Sequence, residues 1–178
     1  MFSRQDLELK DGAPIMIFGM TSFTFFHVLL SLIGILTGLV VLYGLIRSNL
    51  MKGWTLAFLV TTVATSVTGF LFPFNGVTPG IILGVLSLIA LCAAVTGRYA
   101  FHLAGAWRLI YVVGAVVALW LNVVVLIVQS FVKIPTLHAL APTLPPSGPA
   151  FMAVQGIVLV FFVVTGFSAV RRFHPLAV

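Results

Sequence analysis

After Asp11 the chain contains no carboxylate: its three acids, Asp6, Glu8 and Asp11, all precede residue 12 of 178. Paired-carboxylate hydrolysis, carboxylate-bridged di-metal chemistry, intramembrane aspartyl proteolysis and Asp or Glu proton relays all need acids inside the fold, so none is available to the remaining chain. The single cysteine, Cys92, excludes an intrachain disulfide and a CxxC dithiol, and its apolar setting predicts a small core residue. A Gly-rich phosphate loop is missing as well, which disfavours nucleotide hydrolysis. No internal repeat is visible, which argues against an inverted-repeat transporter. Charge of either sign is scarce: 7% of residues against 61% hydrophobic, where soluble domains carry roughly 25% charged residues. The net charge of +6 comes from basic residues scattered singly between apolar runs. They form no patch with interleaved aromatics, so anionic lipid headgroups, not nucleic acid, are the expected partner.

What is present is a series of long apolar runs. Phe26 to Ile46 has no Lys, Arg, Asp or Glu over 21 residues, the length a helix needs to cross about 30 Å of hydrocarbon at 1.5 Å per residue. Four more spans are expected near residues 54–74, 80–97, 109–130 and 150–170. The fold class is therefore an all-α integral membrane protein, one transmembrane domain of five helices over residues 1–178. A short tail, residues 1–14, precedes an interfacial lead-in or helix extension over residues 15–25. The tail does not read as a signal peptide, because acids are mixed with Arg4 and Lys10 and no small-residue cleavage site follows the apolar run. Five spans put the termini on opposite sides. Arg47, Lys52, Arg98, Arg108, Arg171 and Arg172 then share one face and Arg4, Lys10 and Lys133 the other, which predicts N-outside, C-inside in a bacterial-type cytoplasmic membrane, the first six contacting lipid headgroups.

Spacing adds detail within the spans. Thr61, Thr65 and Thr68 recur at i, i+4 and i+7 on one helical face, where hydroxyls are expected to bond back to their own helix and let a neighbour approach. Gly34 with Gly38, and Gly114 with Ala118, are small-xxx-small steps suited to close helix packing, within the chain, in a homo-oligomer or against a protein partner. Asn122 is the deepest amide; left unpaired in lipid it would cost several kcal/mol, so it should face another helix.

Depth counting from the basic ends brings His27, Asn75, Gln129 and Gln155, from four segments, to a similar outer level. They are the candidate ligand-binding residues, an outward-facing polar ring around the His27 imidazole. On a continuous helix Met16, Met20 and His27 would share one face, a soft donor set suited to Cu(I). Haem is the other metal-bearing expectation, at His27 or, on the opposite side, at His102 and His174 with arginines for propionates. Two functional classes follow from the residues. The leading expectation is a non-enzymatic accessory or partner-binding subunit; the alternative is a membrane protein that binds haem, quinone or metal at the outer ring.

Overall fold

A computed structural model describes residues 16–17, 20–73 and 78–175. The tail, residues 1–14, and Asn75 lie outside the described residues. Six helices follow a minimal antiparallel pairing of β1 (Met16–Ile17) with β2 (Met20–Thr21). They are α1 (Ser22–Ile46), α2 (Lys52–Gly69), α3 (Pro79–Val95), α4 (Ala106–Lys133), the single turn α5 (Pro135–His138) and α6 (Pro149–Arg172). A π-helical turn, Thr96–Ala100, continues α3. Among the described residues four segments are long and apolar enough to cross a membrane: Ser22–Ile46, Pro79–Ala100, Ala106–Lys133 and Pro149–Arg172.

Each helix starts where local chemistry supplies a start. Thr21 caps α1, its Oγ1 accepting from the Thr24 amide at 3.2 Å, so the helix begins at Ser22. Up to the cap the described residues, Met16–Ile17 and Met20–Thr21, are extended. The expected shared face of Met16, Met20 and His27 is thereby overturned, since two of the three sit on β1 and β2. Thr78 caps α3 in the same way and Pro79 occupies its first turn, where a missing N–H costs nothing. At α1's other end the Asn49 amide closes on the Gly44 carbonyl at 2.8 Å, turning the chain toward α2.

The helices pack around α4, which contacts α1, α2, α3 and α6. A contiguous core links Leu42, Leu45, Phe58, Leu91, Tyr111, Leu119, Phe162 and Phe173. Both small-residue steps are used inside this core. A Cβ on Gly38 would come within 2.9 Å of the Phe58 ring, and one on Gly114 within 2.6 Å of the Ala90 carbonyl oxygen, so glycine is what lets α1 meet α2 and α3 meet α4 this closely. By contrast, 6% of α6's apolar stretch is buried against 50% of α4's. Cys92 is exposed, a correction to its expected place in the core: it lies on the face of α3 turned away from the bundle. Residues after α6 are anchored. Phe173 is fully buried, its carbonyl accepts from Arg108 Nη1, and the His174 amide donates to Ser48 Oγ at 2.8 Å.

Solid packing is confined to one half of the bundle. Core residues on α1 run from Gly34 to Leu45 and on α4 mainly from Tyr111 to Asn122, toward the end that carries the six basic residues. Toward the other end α1 to α4 enclose open space.

Candidate ligand cavity

That space is a cavity of about 780 Å³, lined by α1, α2, α3 and α4 and reaching Thr78 and Ile134 at its rim. Its walls have a helical logic. Thr24, His27 and Ser31 stand on α1 at i, i+3 and i+7, the stripe that faces α2 and α4; Leu121, Asn122, Val125, Leu126, Gln129, Ser130 and Lys133 form the matching stripe on α4. Ser66 and Ser87 join α2 to α3 across the cavity's inner end, their hydroxyls 3.2 Å apart.

His27 is held by a specific bond. Its Nδ1 lies 2.8 Å from Thr68 Oγ1, and the Phe72 ring meets the imidazole edge-on, with centroids 5.1 Å apart. The Thr68 hydroxyl already donates to the Ala64 carbonyl at 2.7 Å. A hydroxyl has one proton, so with that proton on the Ala64 carbonyl Thr68 accepts from His27 Nδ1. In the neutral ring Nε2 is then a bare lone pair, an acceptor that no group of the described chain fills.

Asn122 provides the opposite character further in. It is 7% exposed, its Oδ1 accepts from Ser31 Oγ at 3.0 Å, and its Nδ2 has no partner. The Thr62 hydroxyl, 1% exposed, is unpartnered too, and both atoms approach the open side of Gly34: a Cβ there would stand 3.0 Å from Thr62 Oγ1 and 3.2 Å from Asn122 Nδ2. Both atoms are buried where α1 meets α2 and α4, closed off from the open space, at the cost in free energy of a buried polar group without a partner.

The structure divides the expected outer ring. His27 and Gln129 line the cavity, Gln129 exposed near Lys133 at its mouth. Gln155 does not: it sits on α6, on the far side of α4, and its Nε2 reaches the Val124 carbonyl at 3.4 Å. Val124 falls off the α4 stripe that faces the cavity, so equal depth here conceals opposite sides of one helix. Of the other histidines, His138 Nδ1 lies 3.3 Å from the Phe131 carbonyl, His102 belongs to the connector after the π turn, and His174 follows α6. Among the described residues no three His, Cys, Asp or Glu side chains converge as a metal site would require. Ser66, Ser87, Thr62 and the His27–Thr68 pairing were not singled out as site residues from sequence. Their signal was present as a polar stripe, Thr24, His27, Ser31 and Gly34, at steps of three, four and three.

At the opposite end Arg47 lies over the Tyr43 ring at 5.5 Å, Arg98 over Tyr99 at 5.3 Å and Arg171 over Phe167 at 4.3 Å. Lys52 and Arg172 are exposed. Arg108 directs part of its guanidinium inward, to the Phe173 carbonyl, and Arg98 Nε is buried as well.

Comparison with known proteins returned no matching family model, no matching curated protein and no matching solved structure.

Proposed function

We propose that the protein is a small multi-pass membrane protein that binds an uncharged amphipathic molecule in the cavity between α1 and α4. One observation carries this reading: a cavity of about 780 Å³ whose mostly apolar walls are interrupted by the polar side chains of Thr24, His27, Ser31 and Asn122. That combination, largely apolar with a few convergent polar groups, is how small-molecule sites are built. In this proposal α1, α2, α3, α4 and α6 are five spans. The 18 residues of α2 rise about 27 Å, and three of its hydroxyls, those of Thr61, Thr65 and Thr68, donate to its own carbonyls at 2.7 to 2.9 Å. The grouping of Arg47, Lys52, Arg98, Arg108, Arg171 and Arg172 at one end supports N-outside, C-inside insertion in a bacterial-type cytoplasmic membrane, those residues meeting anionic headgroups.

A second reading, an accessory subunit that binds a protein partner, is favoured by α6, whose Ile157, Val160, Val163 and Val164 all face outward. Purification of the full chain in mild detergent separates the two. Mass spectrometry of the purified protein should find one small amphipathic molecule per chain, lost in Val125→Phe, which fills the cavity from α4. An empty chain that co-purifies in fixed ratio with another membrane subunit would reverse the preference. An absorption spectrum and metal analysis of the same sample decide whether haem or copper accompanies it.

A further inference from the structure

We propose that the groove between α4 and α6 binds one anionic phospholipid, with an acyl chain lying along the groove and the phosphate on Arg171. The inference rests on α4 and α6 crossing the bilayer and not on what occupies the central cavity, since no residue lines both spaces.

Where α6 leans on α4 the two helices leave a groove of about 320 Å³, lined by apolar side chains from Val113 to Trp120 on α4 and from Leu159 to Val170 on α6. It is open along one side, where Val113, Val163 and Phe167 are exposed. Gly166 contributes to its depth: a Cβ there would stand 3.1 Å from Val116 Cγ1, so the missing side chain is part of the groove's space.

Length identifies the occupant. Leu159 to Val170 corresponds to about 16 Å of helical rise, and one leaflet of a bilayer's hydrocarbon is about 15 Å thick, half of roughly 30 Å. The groove begins beside the basic end of α6 and stops near the middle of the span, so it follows the acyl chains of a single leaflet from headgroup level to midplane. A docked transmembrane helix would follow a face through both leaflets; a groove confined to one suits a chain tethered at that leaflet's surface.

Charge sets the class of headgroup. Arg171 comes directly after Val170, and its guanidinium carbon lies 4.3 Å from the centroid of the Phe167 ring, itself part of the groove wall. That contact holds a cation at the groove's mouth. Among the described residues there is no Asp or Glu to neutralise it, and the guanidinium fork matches phosphate oxygens. Arg172 carries the same charge about 100° further round the helix, with no such ring contact among the described residues. A choline beside the phosphate would meet this basic end unfavourably, whereas a glycerol headgroup leaves the phosphate's negative charge uncompensated.

Trp120, in the half of the groove far from Arg171, reports on its occupant, because bromine on an acyl chain quenches tryptophan fluorescence at contact. The full-length chain with Trp54→Phe and Trp107→Phe keeps Trp120 as its one tryptophan. It is reconstituted in phosphatidylcholine vesicles with rising fractions of phosphatidylglycerol or phosphatidylcholine brominated at mid-chain. Half-quenching should come at about five-fold less brominated phosphatidylglycerol than brominated phosphatidylcholine, the selectivity of one well-placed cation. Arg171→Gln should bring that ratio close to one, while Arg172→Gln, which removes an equal charge, leaves it nearly unchanged. Val163→Phe, which fills the groove from α6, should reduce quenching by both lipids. Equal quenching by the two lipids would overturn the site, leaving ordinary lipid contact. An equal loss of preference in both arginine variants would overturn it as well, leaving only the general attraction of a basic surface. Quenching by neither lipid would give the groove to a protein neighbour, a second copy if cross-linking in the vesicles yields dimers. Where the tryptophan substitutions lose the wild-type circular dichroism melt, native mass spectrometry of the unsubstituted chain, titrated with the two lipids, reads the same ratio and the same arginine comparison.

Discussion

At the scale of single residues, side chains anchor the basic end more firmly than its charge count implies. Arg108 and Phe173 together fasten the segment after α6 to the start of α4, one through a charge-assisted hydrogen bond to a backbone carbonyl, the other through a fully buried ring against Tyr111, with centroids 5.9 Å apart. Truncating Phe173 to Ala should cost about 3–5 kcal/mol, as for other buried aromatics. Arg108→Met, which keeps the aliphatic stem but removes the donor, should cost about 1–3 kcal/mol by leaving the carbonyl unpaired. Thermal or denaturant unfolding in detergent measures both, and the order of the two is the sharper expectation. None of this was legible beforehand: Arg108 and Arg172 are both basic residues at a span boundary, and sequence gives no sign that one turns inward while the other stays exposed. The histidine at the outer boundary was legible, since an imidazole at the edge of a charge-free run stands out. Its partner Thr68 was visible as part of a threonine stripe on another helix, but the meeting of the two depends on how α1 and α2 are rotated about their axes.

Helix existence was readable because long charge-free runs bounded by Arg, Lys, Pro and Gly leave few alternatives in a bilayer. Starts and facings were harder. The Thr21 cap moved the beginning of α1 to Ser22 and removed Met16 and Met20 from its face; a count of 100° per residue is valid only after the cap has been located. Gln155 shows the same limit in another form, for a position along the membrane normal says nothing of which side of α4 a residue occupies. The small-residue steps were recognisable, and the partners they admit are now explicit. Gly114→Ala places a methyl against the Ala90 backbone, which has no rotamer to move, so α3 and α4 must separate. The expected loss is about 1–3 kcal/mol. Gly156→Ala on α6 meets nothing within 4 Å and should be neutral or stabilising by up to about 1 kcal/mol from helix propensity. Equal effects of the two substitutions on detergent unfolding would mean that the α3–α4 approach is not held by Gly114.

For the whole molecule, the arrangement of charge yields a topology that can be checked without a ligand. A reporter fused after Val178 should read cytoplasm, and one inserted near Pro145, in the connection between α5 and α6, should read the outside. Both on one side would break the five-span proposal. The division of the bundle into a filled half and a hollow half has a separate consequence, in time instead of affinity. Backbone amides in a membrane helix exchange their hydrogens only where water can reach them. The cavity gives water a route along the inner face of α1 beside His27, Val28 and Ser31, whereas the face at Val41, Leu42 and Leu45 is sealed by Phe58 and Leu119. Hydrogen–deuterium exchange in detergent should therefore proceed as a front, labelling the first three turns of α1 well before the last two. Bound ligand should stall that front at Ser31, and uniform exchange along the helix would show that its two halves open as one.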